Sequence, residues 1–147
     1  MKPPQASRVP TVVDAILAAL RGIQGVSLLD GPSPITPQND AIVIGAQGDA
    51  SFMVSREKQA GYGISYDETI DVICTIWSAS GSSTMKPRRD RCGDLLEQVS
   101  SAVDADSTLG GACDLAYMGD AMEWLQQTNN TGAMCSVGFS IRARTNI

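Results

Sequence analysis

A chain of 147 residues with 43% hydrophobic and 18% charged residues can bury one sizeable core and has room for one ordinary domain or two small ones. Lys+Arg number 11 against Asp+Glu 16, a net charge of −5, which argues against wrapping nucleic acid. Histidine is absent, which removes Ser-His-Asp triads, His general bases and His metal ligands together.

The polar start, Met1 to Gln5, has no apolar leader, and residues 1–8 read as a flexible arm. Val9, Val12, Val13, Ile16, Leu20 and Ile23 then recur at three- and four-residue steps, which predicts an amphipathic helix. Pro10 or Thr11 starts it, Thr11 with Asp14 resembles a capping box, and Gly22 and Gly25 end it. Its apolar run, Ala15 to Leu20, is too short to span a bilayer, so no membrane partner is expected.

Val26 to Leu29 reads as a short strand, followed by an extended loop over 31–40 that carries Pro32, Pro34 and Pro37. Residues 41–45 are continuously apolar and predict a strand buried on both faces of a covered sheet. Residues 46–66 read as a second extended loop, with Phe52 to Val54 as a possible edge strand. From 68 to 77, Ile70, Val72, Cys74 and Ile76 alternate with Thr69, Asp71, Ile73, Thr75 and Trp77, the period of a strand.

A Ser/Gly turn leads to a helix from Met85 to Val103, with Thr84 as N-cap and a stripe of Cys92, Leu95, Leu96, Val99 and Val103. Asp104 to Gly111 stops it. One strand is expected within 113–125, then a turn at 129–132, then a long strand over 133–145 with Ala133, Cys135, Val137, Phe139, Ile141 and Ala143 on one side. The sum is a single α/β (α+β) domain, 1–147, in which two main helices flank a mixed or antiparallel sheet holding 41–45, 68–77 and 133–145.

Cys74, Cys92, Cys113 and Cys135 form no Cys-x-x-Cys pair, so a zinc ribbon is unsupported; all four are expected reduced and at least three buried. Ser83-Thr84-Met85-Lys86 matches Ser-x-x-Lys, but the companion Ser-Asp-Asn and Lys-Thr-Gly elements are missing. Asp104-x-Asp106-x-Thr108 opens like a calcium loop but has Leu109 and Leu115 where Gly and Glu belong. No phosphate-binding glycine loop occurs. No catalytic, metal or cofactor residue is assigned, and an enzyme is not expected.

One cluster stands out. Lys86, Arg88, Arg89 and Arg91 open the second helix at the end where its dipole disfavours cations. Arg88 and Arg89 have no acidic residue three or four positions away, and Arg88 leans toward the apolar stripe. Two readings stay open: a guanidinium solvated or paired in its own chain, or a salt bridge across a subunit interface. Arg88, Arg89 and Trp77 are the candidates for subunit contact. In 46–66, Phe52, Met53, Tyr62 and Tyr66 are candidate anchors of a docking arm, against the alternative of an ordinary edge hairpin packed on its own subunit.

The order of elements carries a family likeness. The first helix leads to Val-Ser-Leu-Leu-Asp-Gly-Pro (26–32) and then Asp-Ala-Ile-Val-Ile-Gly (40–45). Ile-Cys-Thr-Ile-Trp (73–77) precedes the helix holding Arg-Asp-Arg-Cys-Gly-Asp-Leu-Leu (89–96), and Asp-Ser-Thr-Leu-Gly-Gly (106–111) precedes a strand ending Arg-Ala-Arg-Thr (142–145). Over residues 9 to 145 this resembles the tail terminator (tail-completion) proteins of long-tailed bacteriophages, especially those of actinobacterial hosts.

The resemblance implies a homohexameric ring at the tail–neck junction of a virion. One side would meet the major tail (tube) protein, the other a neck or head-closure protein, and DNA would cross the lumen unread. Two alternatives remain: another virion connector, such as a head-closure or tail-tube subunit, and a cytosolic small-ligand-binding domain or His-independent enzyme.

Overall fold

A computed structural model describes residues 6–32, 40–45, 50–59 and 65–146. In chain order the elements are α1 (Val9–Leu20), β1 (Ser27–Asp30), β2 (Asp40–Ile44), β3 (Phe52–Gln59), β4 (Ser65–Ser80), α2 (Lys86–Ala105), β5 (Leu115–Met118), β6 (Glu123–Asn129) and β7 (Gly132–Asn146). All the strands belong to one 7-stranded mixed sheet, so the α+β class read from the hydrophobic pattern holds.

Two long antiparallel strands make the centre. β4 has 16 residues and β7 has 15, and they pair from Asp67–Asn146 to Ser80–Ala133. The outer side of β4 is shared: β3 takes Ser65 to Val72 and β2 takes Cys74 to Ser78, with β1 adding in parallel beyond β2. The outer side of β7 is shared likewise, by β6 along Gly132 to Gly138 and β5 along Ile141 to Arg144.

Period-2 alternation decides which face is dry. Ile70, Val72, Cys74 and Ile76 of β4, with Cys135, Val137, Phe139, Ile141 and Ala143 of β7, meet Val12, Ile16 and Leu20 of α1 and Cys92, Leu95, Val99 and Val103 of α2 in one core. Each fully buried branched side chain in it contributes about 1.5–3 kcal/mol relative to exposure. Both helices pack on this one face. The opposite face of β4 and β7 presents Thr69, Asp71, Ile73, Thr75, Trp77, Ser136, Gly138, Ser140 and Arg142, all half-buried. Among the described strands only β2 is dry on both sides, from Ala41 to Ile44, since Ala41 and Val43 are also buried. Cover on both sides is thus local to β2.

Several boundaries depart from expectation. Neither Thr11 nor Thr84 caps a helix: the N-cap positions are Arg8 and Met85, neither with a side-chain cap bond, and Pro10 and Pro87 occupy the first turns. The start of α1 is held instead by Glu68 of β4, whose Oε1 accepts the Arg8 N–H at 2.8 Å. The expected loop over 46–66 is strand at 52–59 and at 65–66. The single strand expected within 113–125 is two, β5 and β6, and β6 runs through Asn129. The β6–β7 turn depends on Gly132, with φ +135°; a Cβ there would lie 1.8 Å from the Ser80 carbonyl oxygen, so no other residue fits.

Candidate functional site: the head of α2 and the sheet edges

The arginines at the head of α2 meet an acid that the sequence places far away. Asp40 opens β2 directly across from Ser78 of β4. Arg91 Nε donates to Asp40 Oδ2 at 2.9 Å, and Arg88 Nη1 lies 3.5 Å from Asp40 Oδ1. Ser78, fully buried, donates its hydroxyl to Asp40 Oδ1 at 2.6 Å and accepts from Arg88 Nη1 at 2.9 Å. Arg91 also donates to Asp94 at 3.2 Å and to the Gly25 carbonyl at 3.2 Å.

This carboxylate offsets the cations that the helix dipole disfavours, and it pins α2 to β2 and β4. The Asp40 and Arg88 side chains are 20% and 22% exposed, too dry for either charge to stand alone. Of the two readings of Arg88, pairing within its own chain is the one the geometry supplies. Beside the pair lies an open cleft of about 640 Å³ lined by Gly25, Ser27, Asp40, Ser80, Gly81 and Arg88.

Arg89 points outward, and its Nη1 donates to Gln126 Oε1 of β6 at 2.9 Å. Trp77 is not brought together with these arginines. It lies on the sheet face away from the helices, between Ala41 and Ser136, and its indole Nε1 is buried with no hydrogen-bond partner. On the same face Arg142 makes a two-pronged pair with Asp71 at 2.7 and 3.0 Å; Asp71, then Tyr117, push the Arg142 pKa upward.

The four candidate anchors in 46–66 separate. Phe52 packs against the core, and its ring would lie 3.2 Å from a Cβ on Gly45, which has φ +77°. It is an anchor within the subunit. Met53 is 57% exposed. Tyr66 carries the Arg56 guanidinium 4.1 Å over its ring, a cation–π contact that stiffens the β3–β4 hairpin. Tyr62 lies outside the described residues.

The surface missed in the sequence is β6. Every residue of β6 is exposed, and so are β3 residues Met53 to Lys58. The exposed large apolar side chains concentrate here: Met53 and Val54 on β3, Met122, Trp124 and Leu125 on and before β6, with Leu115 on β5. Among the described residues β3 pairs only with β4 and β6 only with β7. Each therefore leaves an outer row of backbone donors and acceptors open.

All four cysteines are free and buried. Burial pushes the Cys74 thiol up to about 12; burial, then the neighbouring Cys135, push Cys92 upward, and burial raises Cys113. Low-pKa nucleophiles need the opposite environment. Among the described residues no group of three His, Cys, Asp or Glu is placed to hold a metal ion, and no helix is long and apolar enough to cross a membrane.

Known proteins give little by sequence: no protein-family model matches the chain, and no curated protein matches it. Among solved structures, the chain is similar to one from the virion of a native gene transfer agent particle. The identity is 10% and the TM-score 0.49, over 97% of this chain and 100% of that one.

Proposed function

We propose that the chain is a structural virion subunit that forms a ring on the end of a phage tail tube, ends its polymerisation and joins it to the head–neck connector. The observation that carries this reading is the pair of regular strands, β3 and β6, exposed along their length and open at their edges. A lone soluble domain normally blunts such strands; an assembly subunit uses them. The order of helices, strands and loops that resembles tail terminators supports the same reading. Six copies would make the ring, with the tube protein on one side and a neck protein on the other.

The low charge and negative balance suit a lumen through which DNA slides without being held. No catalytic role is assigned. Deletion of the protein from its particle tests the reading: tails should be overlong or unjoined to heads. Normal infectious particles without it would remove the proposal. Labelling that places it along the whole tube, or at the head vertex alone, would transfer it to a tail-tube or head-closure role.

A further inference from the structure

We infer that Cys92 of α2 and Cys135 of β7 form a dithiol site that a small-molecule disulfide, such as oxidised glutathione, converts into one buried disulfide bond. The bond would tie the second helix to a central strand across 43 residues of chain. The inference goes beyond the ring reading and does not depend on it.

The two thiols meet in the core. Cys92 lies on the apolar stripe of α2, and Cys135 lies on the side of β7 that the helices cover. Both are fully buried. The Cys92 thiol donates to the Cys135 carbonyl at 3.2 Å, so it sits against its partner's own backbone. The side chains also sense each other: after burial, the Cys135 thiol raises the Cys92 pKa through its charge and through a side-chain hydrogen bond.

The remaining cysteines stand apart from Cys135. Cys74 pairs with Phe139, four residues along β7 from Cys135, which is about 13 Å at the rise of a strand. Cys113 precedes Asp114, whose N–H bonds the Arg144 carbonyl, about 30 Å along β7 from Cys135. A disulfide needs its Cα atoms within about 7 Å.

The exchange balances. The thiolate of one cysteine attacks a sulfur of the oxidant, forms a mixed disulfide and releases one small thiolate. The second cysteine, deprotonated, attacks the protein-side sulfur, forms the Cys92–Cys135 bond and releases the second small thiolate. Two protein thiols lose two electrons, the oxidant gains them, and the two protons end on the two released thiols. Burial decides when this happens. In the finished fold the closed core shelters both thiols, so the exchange belongs to chains that are folding or transiently open. Once the bond is made, the same burial hides it from reductants.

Refolding in a redox buffer tests the site. Reduced chain unfolded in urea is diluted at pH 8 into oxidised and reduced glutathione. Remaining thiols are then alkylated under denaturing conditions and the peptides mapped by mass spectrometry, with folding checked by circular dichroism. The folded product should carry the Cys92–Cys135 bond, with Cys74 and Cys113 free. Its Tm should exceed that of the reduced protein by about 4–16 °C, and dithiothreitol should open the bond slowly unless urea is present. Cys92→Ala and Cys135→Ala should each refold without any intramolecular disulfide. Where refolding yield is poor, reduced native protein held in oxidised glutathione at its urea midpoint gives the same readout.

Folded protein that keeps all four thiols free in oxidised glutathione, or holds Cys92 or Cys135 only as a glutathione adduct, would overturn the inference. So would a bond from either cysteine to Cys74 or Cys113, or a Cys92–Cys135 product with a lower Tm than the reduced protein.

Discussion

Replacing Asp40 by alanine should destabilise the subunit more than replacing Arg88. Asp40 holds Arg91 at 2.9 Å and Arg88 at 3.5 Å, and its partners' side chains are 26% and 22% exposed. Removing one side of a fully buried pair costs about 3–5 kcal/mol. Partial exposure lets water recover some of that, which leaves about 2–3 kcal/mol for Asp40→Ala. Arg88→Ala is milder because Asp40 keeps the closer Arg91 contact and the Ser78 hydroxyl at 2.6 Å. It should cost about 1 kcal/mol, the worth of one ordinary hydrogen bond.

The double variant should fall short of the sum by about 0.5–1 kcal/mol, because both changes remove the same contact. At about 2–4 °C per kcal/mol for a chain of this size, Tm should drop by about 4–12 °C for Asp40→Ala and about 2–4 °C for Arg88→Ala. Urea unfolding followed by circular dichroism, with sedimentation on the same samples, measures both stability and assembly. If Arg88→Ala costs more than Asp40→Ala, or dissociates an oligomer without moving the unfolding midpoint, the charge of Arg88 is met by another subunit.

Gly132→Ala should cost more than about 2 kcal/mol, since φ is +135° and the new Cβ would strike the Ser80 carbonyl; thermal melting should show it even though the residue lies in a turn. Native protein at pH 8 should leave all four thiols unlabelled by an aromatic disulfide reagent, and denaturant should release all four. Because burial raises the folded pKa of Cys74 to about 12 and also raises Cys92 and Cys113, the unfolded chain loses those protons first. Stability from these thiols is complete below the unfolded value near 9 and should fall as pH rises from there toward 12. Each thiol contributes a slope of about 1.4 kcal/mol per pH unit, and Cys74→Ala should flatten the alkaline limb. Glu68→Gln should stay within about 1 kcal/mol of the parent, because an amide oxygen can still accept the Arg8 N–H, whereas Glu68→Ala removes that acceptor and should cost about 1–3 kcal/mol. Chemical denaturation of the two variants separates the outcomes.

The parts of the fold legible in the sequence are those with one dry face. Ile70 to Ile76 and Ala133 to Ala143 alternate because the helices cover one side, and the stripe of α2 repeats because the sheet covers it. β6, Glu-Trp-Leu-Gln-Gln-Thr-Asn, shows no burial period because every residue is exposed, so periodicity had nothing to report. Most of β3 escaped for the same reason, and its first residue, Phe52, was visible as apolar but turned inward. The helix starts were misread because proline and a distant carboxylate do the work that a local Thr cap usually does. The unfavourable charge at the head of α2 was legible, but its remedy was not. Asp40 and Arg91 are 51 residues apart, and only the pairing of β2 with β4 makes them neighbours.

The long β4–β7 ladder also governs how fast the subunit can form. Asp67 and Asn146 sit 79 residues apart in the chain, so the middle of the sheet closes one of the largest loops the molecule contains. β2 and β3 can assemble on β4 early, but β5 and β6 have no support until β7 arrives. Until then the longest strand keeps one whole edge bare, with α2 lying over it as the surface on which β7 must land. Non-local pairing of this kind places folding in the millisecond-to-second range. The same bare edge is then a site where two unfinished chains can trap each other. Folding therefore has to keep that edge reserved for its own chain until β7 lands on it.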